Sequence, residues 1–161
     1  MPDRYVFDTN VLWHGLIPSG DAIGETCRRL MQAMDDGEIH AYASALTLVE
    51  LPKVIRPELP IEQIVRLTDA LRRSAITWVP LTDAIAMRAR DLSLEQTIKK
   101  AYDAVILATA LEIRAHTLYT HDRDDFPVGD VIDGVRVRPV ELPPELRQGS
   151  LDDILDTQAE E

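Results

Sequence analysis

The sequence predicts an α/β domain built on a central, mostly parallel sheet of four to five strands flanked by helices. Three observations carry this. Short apolar runs alternate with amphipathic helical segments from residue 4 to residue 140. One helical segment, "AYDAVILATALEIRA", is apolar nearly all round, as a helix buried against a sheet must be. The chain has 161 residues, 45% hydrophobic and 28% charged, which suits one globular domain with a sizeable core.

The elements follow in order. Residues 4 to 8 read as a short buried strand that ends on Asp8. "AIGETCRRLMQAMDDGE" is a helix, because Ile23, Cys27, Leu30, Met31 and Met34 recur at helical spacing and Gly37 is a stop signal. "IHAYAS" is a second strand. "SALTLVEL" is helical with Ser44 as its N-cap, and Pro52 is expected to end or kink it, since a residue before proline disfavours the αR region. "PIEQIVRLTDALRRS" starts with Pro60 at the first helical position and carries Ile61, Ile64, Val65, Leu67 and Leu71 on an amphipathic face. "ITWVPL" is a third strand, and "TDAIAMRARDLSLE" a helix capped by Thr82. After the buried helix come a fourth strand, "TLYT", and a fifth, "GVRVRPV", which follows Asp133-Gly134. There is no internal repeat. The division is a domain over residues 1–140 and an acidic C-terminal tail over 141–161, in which "LDDILDT" has weak helical character.

Composition excludes several classes. The net charge of −11 is not that of a protein that coats nucleic acid, and the tail alone carries −6 of it. Cys27, the one cysteine, rules out an internal disulfide and a thiolate metal cage, and it falls on an apolar helix stripe. No apolar run approaches the ~20 residues that span a bilayer, and the N-terminus has no secretory pattern, so a cytoplasmic protein without a membrane partner is expected. With only two Phe, an aromatic platform for single strands is not expected, and Trp13 and Trp78 read as packing anchors.

The chemistry lies in the acids. Ligand sites of open parallel sheets form at the carboxyl ends of the strands. Asp8 ends the first strand, Glu50 lies in the helix after the second, Asp103 opens the buried helix, and Asp122 follows the fourth strand, with Asp124 and Asp125 close behind. Parallel strands would bring these carboxylates to one edge. Each alone has an ordinary structural role: Asp8-Thr9-Asn10 as a turn and cap, Asp103 as an N-cap, Glu50 as an exposed helix residue, Asp124 as solvated loop. Together they would repel one another unless a hard divalent cation neutralised them, and all-oxygen ligands favour Mg²⁺ or Mn²⁺. Such a site suits phosphodiester hydrolysis. Thr9 and Asn10 would then orient Asp8 or touch substrate, and Lys99 and Lys100, just before Asp103, would meet substrate phosphates. His121 adjoins Asp122, while His14, His40 and His116 have no partner at ligand spacing. A phosphatase with Asp8 as nucleophile would want a second Asp two residues on, where Asn10 stands.

Through "FDTNVL", "SALTLVEL", "YDAVILATA" and "LYTHDRDDF", in that order, the chain resembles PIN-domain ribonucleases, and within them the VapC-like toxins of type II toxin–antitoxin pairs. The resemblance covers roughly residues 4 to 140. It implies a PIN-like fold, a Mg²⁺- or Mn²⁺-dependent endoribonuclease acting on RNA, an antitoxin partner and a homodimer. By position, Asp8, Glu50, Asp103 and Asp122 correspond to the family's acidic quartet. Thr120 corresponds to the hydroxyl that supports the fourth acid, and Asp125 to a further acidic position. The region from Pro60 to Ser74 corresponds to one that helps form an antitoxin groove. The rival readings are an RNA-processing PIN nuclease without antitoxin and a non-catalytic PIN-like interaction module.

Overall fold

The computed structural model describes residues 3–55, 57 and 59–147. The chain runs β1 (Arg4–Phe7), α1 (Thr9–Leu16), α2 (Ala22–Asp35), β2 (His40–Ser44), α3 (Thr47–Ile55), α4 (Ile61–Arg72), β3 (Thr77–Val79), α5 (Asp83–Leu94), α6 (Ala101–Glu112), β4 (Thr117–Thr120), β5 (Val131–Ile132) and β6 (Val135–Pro139). The strands form one sheet in the order β3-β2-β1-β4-β6-β5. Every pair is parallel except the β5–β6 hairpin. The sixth strand, beyond the four to five expected, is the two-residue β5. It exists because Asp133 and Gly134 both take positive φ, +45° and +88°, as a tight hairpin turn demands.

Side-chain alternation along the strands splits the core in two. Val6, Leu118 and Val137 face α5 and α6, where Ile85, Leu92, Ile106 and Leu107 meet them. Tyr5, Phe7, Ala41, Ala43 and Tyr119 face the other way, onto Leu12, Leu30, Met34, Leu51 and Leu71. Both faces are covered, which is why the strands read as nearly continuous apolar runs. Cys27, on α2, is fully buried in the second of these layers. Among the described residues, no helix is long and apolar enough to cross a membrane.

Four local features depart from the pattern-based expectation. Helix α1, unassigned from sequence, begins directly after β1, with Asp8 as its N-cap. Its short stripe of Val11 and Leu12 is fully buried, and Trp13 packs against the same layer. Helix α3 starts at Thr47, later than Ser44, which is the last residue of β2 and accepts a hydrogen bond from the Leu46 amide at 3.3 Å. Pro60 is the N-cap of α4 rather than its first helical residue.

The fourth feature is Pro52, which does not end α3: the helix runs through it to Ile55. The proline falls in the second turn, so its missing N–H deprives only the Leu48 carbonyl of an i+4 donor. Burial of Leu51 and Ile55 outweighs that loss. Residues 141–147, assigned from sequence to the tail, pack on the domain: Leu146 is buried, Leu142 lies against the Tyr5–Tyr119 layer, and the Tyr5 hydroxyl donates to Glu145. Helical character in "LDDILDT" lies outside the described residues.

The Pro52 argument has a measurable outcome. Pro52→Ala supplies the missing donor and is expected to stabilise the domain by about 1 kcal/mol, raising the thermal midpoint by about 2–4 °C. A lowered midpoint would mean that packing of the proline ring matters more than the hydrogen bond.

Candidate active site

Strand β1 sits at the point where the sheet's connections diverge, with β2 on one side and β4 on the other. The chain leaving β1 and the chain leaving β4 part there, and a crevice opens beyond the strand ends. It is a cleft of about 460 Å³ lined by Asp8, Asn10, Glu50, Lys100, Asp103 and Asp122. Four acids from four separate elements thus share one cleft.

Each is held in its own way. Asp8 is 3% exposed, at the end of β1. Its own amide donates to the Tyr119 carbonyl at 3.0 Å, which ties it to β4. One carboxylate oxygen accepts from the Thr9 amide at 2.7 Å, and the other accepts from the Thr120 hydroxyl at 2.8 Å. Glu50 lies in the first turn of α3 and accepts from the Thr9 hydroxyl, which also sits 3.3 Å from the Thr47 hydroxyl. Asp103, in the first turn of α6, is 8% exposed, and its Oδ2 is buried with no hydrogen-bond partner among the described residues. Asp122 caps its own loop: Oδ1 accepts from the amides of Asp124 and Asp125 at 3.0 and 3.1 Å, and its amide donates to the Thr120 hydroxyl at 3.0 Å.

Thr120 is the hub. It is fully buried, donates to Asp8 and accepts from the Asp122 amide, and so couples two acids that are far apart in sequence. Asn10 plays a parallel part, its side-chain oxygen accepting from the His121 amide at 3.0 Å and pinning the 121–125 loop to α1. Asp125 turns to Lys100, with which it forms an ion pair. Lys99 is exposed outside the cleft lining. His121 stacks edge-on against His14, ring centroids 5.0 Å apart, and neither ring lines the cleft.

The electrostatics follow from burial and crowding. Asp8 is pushed up to about 7, first by burial, then by the neighbouring charges of Asp103 and Glu50, against the lowering effect of the Thr120 and Thr9 hydrogen bonds. Asp103 is raised to about 6, again by burial first and then by Asp125 and Glu50. Asp125 is held below the usual carboxylate range by the Lys100 ammonium.

The donor set suits a hard divalent cation. The carboxylates of Asp8, Glu50, Asp103 and Asp122 could hold one, and the Oδ2 of Asp103 is a buried acceptor with no hydrogen-bond partner among the described residues. Among the described residues no three acidic or imidazole side chains already stand together as a cage. Glu50 accepts from Thr9, Asp125 pairs with Lys100, and Asp122 accepts from a loop amide. Sequence reasoning missed Thr47, which carries no charge or motif signal of its own. It also missed Tyr102 and Val54 on the cleft wall, whose place there depends on how α6 and α3 meet.

Comparison with known proteins bears on the family and the fold. The PIN domain profile matches residues 5–130. No curated protein matches the sequence. Among solved structures, a Klebsiella pneumoniae toxin–antitoxin complex is similar at 28% identity, over 81% of this chain and 94% of its own, with a TM-score of 0.60. A DNA-bound VapBC from Salmonella typhimurium is 17% identical, over 86% and 99% of the two chains, with a TM-score of 0.64. A Mycobacterium tuberculosis VapC toxin described as cleaving the sarcin–ricin loop is 18% identical, over 74% and 91%, with a TM-score of 0.61. The last two are likenesses of fold. The chain belongs to the PIN-domain family, and its structural neighbours include VapC toxins of VapBC toxin–antitoxin systems.

Proposed function

We propose that this protein is a metal-dependent endoribonuclease and the toxin of a toxin–antitoxin pair, acting in the cytoplasm as a homodimer. The observation that carries the reading is the convergence of Asp8, Glu50, Asp103 and Asp122 on one cleft. Those four would hold Mg²⁺ or Mn²⁺, with Asp125 as a further ligand. The ion, when bound, would activate water and stabilise charge on the scissile phosphate.

The chain's own residues do the positioning. The Thr9 amide and Thr120 hydroxyl occupy one lone pair on each Asp8 oxygen and leave the others facing the cleft. The Thr9 hydroxyl orients Glu50, and the Asp124 and Asp125 amides fix Asp122. RNA phosphates flanking the cut bond would meet Lys100, with Lys99 beside it on the surface.

An antitoxin needs a surface. Val49 on α3 and Ile61 and Val65 on α4 are 54%, 64% and 51% exposed, although α3 buries Leu51 and Ile55 and α4 buries Ile64 and Leu71. Val54, also exposed, lines the cleft itself. A partner helix laid on α3 and α4 would cover these side chains and reach the acids. The similarity to a toxin–antitoxin complex from Klebsiella pneumoniae supports an antitoxin partner. The homodimer rests on the family resemblance.

Three outcomes test the reading. Purified protein should cleave a structured RNA with Mn²⁺ and not with chelator. Asp8→Asn or Asp103→Asn should lower the rate by roughly 100-fold or more, and Thr120→Val by roughly 10–100-fold. Cleavage that survives both acid changes would refute the mechanism.

The pH dependence of stability has a definite sign. Asp8 and Asp103 have folded pKa values of about 7 and about 6, above their unfolded values, so between about pH 4 and 7 the folded state binds more protons than the unfolded. Their contribution is fully present below about pH 4 and is lost as pH rises to about 7. In chelator the thermal midpoint should therefore contain a fall over that window, reduced in Asp8→Asn. Mn²⁺ should restore the midpoint near neutral pH in the wild type only. Equal midpoints with and without Mn²⁺ would count against a metal site.

Val65→Asp places a charge in the exposed α3–α4 patch. It should leave RNA cleavage unchanged and weaken neutralisation by the proposed antitoxin by about tenfold or more. Full neutralisation of that variant would move the antitoxin site elsewhere.

A further inference from the structure

Among the described residues, Lys100 is the one basic side chain on the cleft wall, and its position is unusual for a surface lysine. It is the N-cap residue of α6, just ahead of the turn that carries Asp103, and its side chain makes no capping bond. Its ammonium is paired with Asp125, whose side chain is only 15% exposed, whereas that of Lys100 is 63% exposed. The lysine thus reaches in from solvent to cover a partly buried carboxylate. The charges of Asp103 and Asp122 also act on it. The backbone of Asp125 is held in the loop, its amide donating to Asp122.

We propose that Lys100 is the internal counter-cation of the acid cleft, competing with the divalent ion for Asp125 and passing to an RNA phosphate once that ion enters. This rests on the nuclease reading and extends it. An ammonium already among the acids lowers their mutual repulsion but also repels a second cation. Entry of a divalent ion weakens the hold of Asp125 on Lys100. The freed ammonium then stands at the cleft mouth, beside the path of the substrate backbone. Linkage makes the effect reciprocal: a phosphate that draws Lys100 off Asp125 improves the site for the ion. Lys100 is a positioning and substrate-binding group in this scheme, with no part in bond cleavage.

The test measures Mn²⁺ binding to the full chain by electron paramagnetic resonance, without RNA, beside steady-state cleavage of RNA. Lys100→Met should bind Mn²⁺ about tenfold more tightly and show a KM for RNA about tenfold higher. Lys100→Arg, which keeps the charge, should behave as the wild type in both. A purely structural role for Lys100 would instead weaken Mn²⁺ binding along with folding. Unchanged or weaker Mn²⁺ binding in Lys100→Met, or an unchanged KM, overturns this inference while a wild type that binds Mn²⁺ and cleaves RNA keeps the nuclease reading. A wild type that binds no Mn²⁺ overturns both.

Discussion

Like charges gathered where water is scarce are the constraint on which the rest of this molecule turns. Asp8 is buried at a strand end with two neutral donors as its partners, and Asp103 is nearly as buried with one oxygen unpartnered among the described residues. Burying a carboxylate in this way is unfavourable unless a cation or a full set of donors offsets it. A domain selected for stability alone would place apolar residues there. The surrounding hydroxyls and amides are therefore best understood as aiming the acids rather than as stabilising the fold.

The aim depends on packing that has nothing polar in it. From Asp103 to Ala110, α6 is buried along almost its whole length, against α5 and the sheet. Such a helix cannot rotate about its axis without exposing Ile106 or Leu107, so apolar contacts fix the direction of Asp103. The β1–β4 pairing does the same for Asp8 and Thr120: Phe7 is opposite Tyr119, and the residues that follow them meet through the Thr120 hydroxyl. A slip of one residue in that register would turn one of the two side chains to the other face and separate them.

The alternation of strands and helices, and hence the edge at which the acids meet, was legible because it rests on periodicity and connection rules. Asp8, Glu50, Asp103 and Asp122 could be named because charged residues at strand ends and helix starts stand out against apolar neighbours. What escaped depends on contacts between elements. Helix α1 is too short, at eight residues, for its stripe to declare itself. The helix through Pro52 persists because Leu51 and Ile55 are buried by distant chain, and no local rule contains that information. The ion pair of Lys100 with Asp125 joins two loops 25 residues apart, and it was invisible until both were placed. The anchoring of Leu142 and Leu146 shows that an acidic, proline-containing segment can still carry apolar side chains that find the core.

Charge also orders the events of the proposed reaction. The chain carries a net −11, and its cleft concentrates carboxylates, so an RNA backbone approaching the ion-free protein meets repulsion at its destination. Divalent cations meet the opposite field and are drawn in. In the proposed reaction a bound divalent ion would lower that negative charge and offer the phosphate a positive partner. Screening by salt weakens the long-range part of both effects, but not the short-range part inside a partly dehydrated cleft. On the proposed reading, an order of ion before substrate would need no moving lid. It follows from where the acids are, with Lys100 as the positive charge that the cleft already holds.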